Sequence, residues 1–213
     1  MSAPGPAHRF HLDILPGAFM SKPLRQVLIH ADESCLGNQF KDRQNPGGAG
    51  ALMEFWDRDH WERRDFWLSD PATTNNRMAL ASAIGSLGAL TGRCKVTFVS
   101  DSTYLVKGAS EWMHGWKKRG WKRKAGPIEN LDLWKRLDPL ASYHDMTWEW
   151  VKGHAGHPKN EYVNMLAIRA AQELTHSGGP VPSGFEEWLN EEREKDRYMD
   201  YFEFEPPAYA TEP

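Results

Sequence analysis

Apolar positions along the chain follow two periods. Val27, Leu28 and Ile29 form a short apolar run that closes at Asp32, which predicts a buried strand. A stretch rich in Gly, Asn and Pro over 37–48 follows and reads as a long turn. Two further strands are predicted at about 50–56 and 60–68. The period then changes: Met78, Leu80, Ala81, Ile84, Leu87 and Leu90 share one face of a helix over 75–90. Residues 95–99 read as a strand with Asp101 just beyond its end, and 103–116 and 131–143 as helices. A last strand at 146–151 and a last helix at 160–174 complete the pattern. Three strands, a helix, a strand, two helices, a strand and a helix describe an α/β domain, a mixed sheet with helices on both faces. No internal repeat is visible.

Length and composition bound this picture. A chain of 213 residues with 40% hydrophobic content supports one sizeable core. Residues 1–24 are rich in Pro and Gly without a period and read as a leader, 25–176 as the folded domain, and 177–213 as an acidic, aromatic C-terminal extension. No run of about 18 apolar residues occurs and no secretory pattern opens the chain, so a cytoplasmic protein with no membrane partner, working as a monomer, is expected. Cys35 and Cys94 lack the paired spacing of zinc sites and are expected to be reduced.

The net charge of −3 conceals an asymmetry. Residues 184–213 hold ten acids against three bases, which leaves +4 on the rest, and residues 117–124 hold six bases in eight positions. A basic patch of that density suits a polyanion whatever the total charge.

Asp32 and Asp101 each stand at the end of a predicted strand, where carboxylates from different elements of an α/β sheet converge. Converging carboxylates hold divalent ions, and two such ions neutralise the charges of phosphodiester hydrolysis. Either aspartate alone reads as readily as a turn or cap residue. The strings around them change this. Asp32-Glu33-Ser34-Cys35-Leu36-Gly37-Asn38, Thr73-Thr74-Asn75-Asn76-Arg77-Met78 and Asp101-Ser102-Thr103-Tyr104 occur in that order. Trp112-Met113-His114-Gly115-Trp116-Lys117-Lys118-Arg119-Gly120-Trp121, Leu131-Asp132-Leu133-Trp134 and Trp150-Val151-Lys152-Gly153-His154-Ala155-Gly156-His157 follow. Together they resemble the successive signatures of bacterial ribonuclease HI over residues 26–174.

The resemblance implies a ribonuclease H-like fold with a five-stranded mixed sheet, two Mg²⁺ (or Mn²⁺) ions held by an Asp-Glu-Asp-Asp set, and hydrolysis of the RNA strand of an RNA/DNA hybrid. Asp32 matches the first metal ligand and Asp101 the third. The family's Glu belongs at Ala79 and its last Asp at Asn164, which offers only a neutral oxygen. Glu33 stands where the family usually carries glycine. As a strand neighbour of Asp32 it is expected to point to the opposite face, so no rescue of the set is expected from it. Reduced metal occupancy and severely impaired turnover follow. His154 matches the family's mobile proton shuttle, while His157 is expected to be structural.

The resemblance also places substrate contacts. Asn38, Asn75, Asn76 and Thr103 align with positions that touch the minor groove, and Thr74 with a DNA-phosphate contact, although Thr74 and Asn75 also suit helix capping. Trp112, Trp116 and Trp121 interleave with Lys117, Lys118, Arg119 and Lys122 in the basic protrusion, as stacking platforms beside phosphate-binding charges. The extension from residue 177 lies outside the resemblance. It is expected to dock on the domain, to bind a partner or to stay disordered, and an acidic cover over the basic groove is one form of docking. Three readings stand: a disabled hybrid endoribonuclease, a natural non-catalytic hybrid-binding module, and a scaffold that uses its tail for protein contacts.

Overall fold

The computed structural model describes residues 24–37, 45–153 and 156–202. Six strands form one sheet in the order β5-β4-β1-β2-β3-β6. They are β1 (Arg25–Cys35), β2 (Asn45–Asp57), β3 (His60–Thr73), β4 (Cys94–Ser100), β5 (Asp145–Trp150) and β6 (Val181–Pro182). β1 runs antiparallel to β2 and parallel to β4, so the sheet is mixed. Helices α1 (Asn75–Gly88), α2 (Thr103–Lys107), α3 (Met113–Lys118) and α4 (Leu131–Tyr143) contribute to the core on one face. Helices α5 (Pro158–Glu173) and α6 (Phe185–Arg193) pack over the other. No helix among the described residues is long and apolar enough to cross a membrane.

The expectation of five strands is corrected to six. The additional strand is two residues long and pairs Val181 with Asp65 and Pro182 with Arg64 along the outer edge of β3. Two residues cannot display an alternating pattern, so composition alone marks them as loop. The start of β2 is also corrected, from residue 50 to Asn45. Gly47 and Gly48 belong to the strand rather than to a turn. They are glycines because other elements press on them: a Cβ at Gly48 would stand 2.2 Å from the Ala167 carbonyl oxygen of α5. The helix expected over 103–116 is interrupted by a π-helical turn at Gly108–Trp112. A Cβ on Gly108 would meet the Trp134 ring at 2.1 Å, so the turn lies directly on that buried indole.

The described part of the extension docks on α5 and β3. Asp65 accepts hydrogen bonds from Tyr162 (2.5 Å), Ser183 (2.6 Å) and the Gly184 amide (3.0 Å), joining β3, α5 and the extension. Phe185 and Leu189 are buried with Leu52, Tyr162, Val163 and Leu166, and Trp188 packs beside them. The amphipathic acidic helix therefore turns its apolar side inward, on the face opposite the core that encloses Trp116. Beneath it, buried Glu54 of β2 is paired with Arg63 Nε at 2.7 Å and Lys159 Nζ at 2.7 Å, and Arg63 reaches Glu186 of α6 at 2.5 Å. This chain of charges ties the strands to both outer helices.

Candidate active site

The parallel ladder between β1 and β4 ends with Ala31 opposite Ser100, but β1 continues along β2 as far as Cys35 opposite Gly47. Residues 32–35 thus overhang the end of β4, and the chain leaves β4 through Asp101 and Ser102 into α2. Asp32 and Asp101 meet at this step. Asp32 is buried, and its Oδ1 accepts the Glu33 amide at 2.7 Å. Asp101 is fixed through its backbone, whose carbonyl accepts Trp150 Nε1 at 2.9 Å. The loop after β5 closes against it so tightly that a Cβ at Gly153 would stand 2.2 Å from Asp101 Oδ2.

Glu33 joins them, which corrects the expectation that it points away. Asp32, Glu33 and Asp101 offer carboxylate oxygens that all lie within 4.8 Å of one another. Alternation along β1 still holds, and Glu33 continues the face of Val27, Ile29 and Ala31. Because β4 has already ended, β1 is bordered by β2 alone here, and on the open side the longer Glu side chain reaches the shared space. Burial, then the charges of Asp32 and Asp101, push its carboxyl up to about 8, partly opposed by a hydrogen bond with the Ser102 side chain. Three hard oxygen donors at this spacing suit a divalent cation such as Mg²⁺ or Mn²⁺. Burial and the negative charges of Glu33 and Asp70 also raise the thiol of nearby Cys35 to about 11, so it stays protonated.

The remaining expected site residues fall around this centre. Ala79 is buried in the core between α1 and β1 and offers no donor. Asn164 is half-buried on α5 and shares a groove with Glu161, Trp188 and Arg197. Thr74 caps α1, its Oγ1 accepting the Arg77 amide at 3.4 Å, and Asn75, Asn76 and Thr103 lie in the first turns of α1 and α2. Arg77 ties α1 to α4 through Asp132 at 3.1 Å. Asn38 and His154 lie outside the described residues. His157 stacks on His30 at 5.6 Å and meets Tyr201 of the extension at 5.8 Å.

The basic segment divides by burial. Lys117, Lys118, Arg119 and Lys122 are exposed, with Lys117 paired to Asp138 at 2.8 Å. The expectation of three aromatic platforms is corrected: Trp116 is only 7% exposed and sits edge-on against Trp134 in the core, whereas Trp112 is 38% exposed. Trp121 is half-buried against the same core. Spacing alone does not reveal which of three closely set tryptophans anchors the helix.

Comparison with known proteins agrees with this geometry. Residues 24–172 match the family model described as RNase H. A ribonuclease H of Alcanivorax borkumensis is 42% identical over 157 residues, covering 73% of this chain and 98% of that protein. One of Cronobacter sakazakii is 49% identical over 152 residues, covering 71% of this chain and 90% of that protein. Among solved structures, LC9-RNase H1, described as a type 1 RNase H with the type 2 active-site motif, superposes with a TM-score of 0.79 at 47% identity. It covers 90% of this chain and 93% of that one. The chain therefore belongs to the ribonuclease H family, the RNA/DNA-hybrid endoribonucleases that depend on divalent metal ions.

Proposed function

We propose that this chain binds RNA/DNA hybrids and hydrolyses the RNA strand with the help of Mg²⁺ or Mn²⁺, at a rate well below that of a relative with the full carboxylate set. The observation that carries the reading is the convergence of Asp32, Glu33 and Asp101 at the ends of β1 and β4 in a chain of this family. Divalent ions held there would offset phosphate charge and generate the attacking hydroxide. Asp32 and Asp101 would hold them, and Gly153 fixes where the Asp101 carboxylate can stand. Asn75, Asn76 and Thr103 would meet the minor groove, where the 2′-hydroxyls mark the RNA strand. Lys118, Arg119 and Lys122, with exposed Trp112, would take the phosphates of the DNA strand. His154 would assist departure of the leaving oxygen.

Ala79 and Asn164 favour a second reading, a hybrid-binding module without turnover. If the altered set raises the barrier by about 4 kcal/mol, the rate falls roughly a thousandfold. Cleavage of a labelled hybrid in Mg²⁺ and in Mn²⁺, with binding measured on the same preparation, separates the two. Slow cleavage that rises strongly in an Ala79→Glu, Asn164→Asp variant supports the enzyme. Tight binding with no cleavage by either protein supports the module, and absence of hybrid binding overturns both.

A further inference from the structure

Both described ends of the loop between β5 and α5 are held by contacts from elsewhere in the chain. At the near end, the Val151 amide donates to the Ser100 carbonyl at 3.1 Å, and Gly153 abuts Asp101. At the far end stands His157, the N-cap residue of α5, directly before Pro158. His157 is exposed, and it borders a cavity of about 600 Å³ together with His30, Val99, Val151, Tyr201 and Phe202. Burial in the core therefore does not fix it. Two rings flank it instead: it stacks on His30 with centroids 5.6 Å apart and planes 12° from parallel, and Tyr201 meets it edge-on at 5.8 Å and 80°. Edge-to-face contact at about 4.5–7 Å is a favoured arrangement of two rings.

Tyr201 belongs to the extension, beyond residues 24–172 that match the family model. It is firmly anchored there. Its carbonyl accepts Arg193 Nη2 at 2.6 Å, and its amide donates to the Tyr198 carbonyl at 3.1 Å. Tyr198 packs on Trp188 of α6 at 5.8 Å, and α6 is docked through buried Phe185 and Leu189. We infer that Tyr201 is a positioning residue: through its contact with His157 the extension fixes the far end of the loop that carries His154. The inference rests on the reading above in which His154 assists departure of the leaving oxygen. His154 lies three residues before His157 and next to Gly153, so a shift at His157 passes to it along a short span of chain. Misplacing a reacting group by about 1 Å can cost ~100-fold in rate.

The test pairs steady-state cleavage of a labelled hybrid with amide hydrogen exchange on the full chain. Tyr201→Ala should speed exchange in the peptide spanning 151–157 by about 2- to 10-fold, the factor to which an aromatic pair's contribution converts. It should lower kcat about 10- to 100-fold and leave KM and hybrid affinity within about twofold, which also reports that the variant is folded. Tyr201→Phe keeps the ring and should restore both exchange and kcat. His157→Ala combined with Tyr201→Ala should lower kcat no further than the worse single variant, because both changes break one contact. Exchange or kcat unchanged in Tyr201→Ala, a loss confined to KM, no recovery in Tyr201→Phe, or losses that add in the double variant would each overturn the inference. Faster exchange in Tyr201→Ala when the parent chain cleaves no hybrid would leave the contact's hold on the loop standing and remove the enzymatic reading instead.

Discussion

Gly153 presses on Asp101: a single carbon added to its Cα would stand 2.2 Å from Asp101 Oδ2. The loop after β5 thus sets the position of a carboxylate that leaves the end of β4. Gly153→Ala should displace that carboxylate and leave the core intact. A loss of about 10- to 100-fold in Mn²⁺ affinity is expected, the range for disturbed support of a metal ligand, with the thermal midpoint nearly unchanged. An unaltered affinity would mean that the loop yields before the aspartate does.

The basic segment should act through charge. Lys118, Arg119 and Lys122 are exposed, and removing one phosphate-binding cation lowers the slope of log K against log salt by roughly 0.7 to 0.9. The triple Ala variant should bind hybrid more weakly at low salt and depend less on salt. Trp116→Ala should instead unfold the protein more readily, because its ring lies inside the core against Trp134, at a cost of about 3–5 kcal/mol.

Removing the chain after Leu174 should destabilise the domain rather than free its groove. Phe185 and Leu189 are buried against Leu52, Tyr162 and Leu166, and each such side chain contributes about 1.5–3 kcal/mol when fully buried. A thermal melt of the shortened chain should show a clear drop in midpoint and increased binding of an apolar dye. A midpoint equal to that of the full chain would mean that the docking contributes nothing.

Acid should weaken the fold through His144. It is buried at the junction of α4 and β5, and its Nδ1 accepts the Cys94 amide at 3.2 Å. Burial, aided by the nearby Arg93, holds its pKa below the ordinary 6.5, although a hydrogen bond with the Leu87 backbone opposes the shift. The unfolded chain takes up a proton as pH falls through about 6.5 while the folded chain does not, so the contribution is complete above that pH and is lost below it. Denaturant melts at pH 5.5 and 7.5 should differ less for His144→Gln than for the parent. An equal difference would exclude His144 as a source of acid sensitivity.

The sequence by itself determined the order of the strands and helices from β1 to α5, the mixed sheet, the ends of β1 and β4 as the place where carboxylates meet, and the family. These follow from local periodicity and from motifs whose spacing survives without knowledge of distant contacts. Tertiary structure decided the rest, because it depends on what lies opposite. Gly47 and Gly48 read as turn residues until Thr73, Cys35 and Met78 are seen to crowd the first and α5 the second. Trp112 and Trp116 look alike until Trp134 is seen to bury one of them. The extension's aromatics gain meaning only from the apolar face of α5 that they cover. Above all, alternation sends Glu33 to the face opposite Asp32, and only the early end of β4 lets a side chain from that face turn toward Asp32 and Asp101.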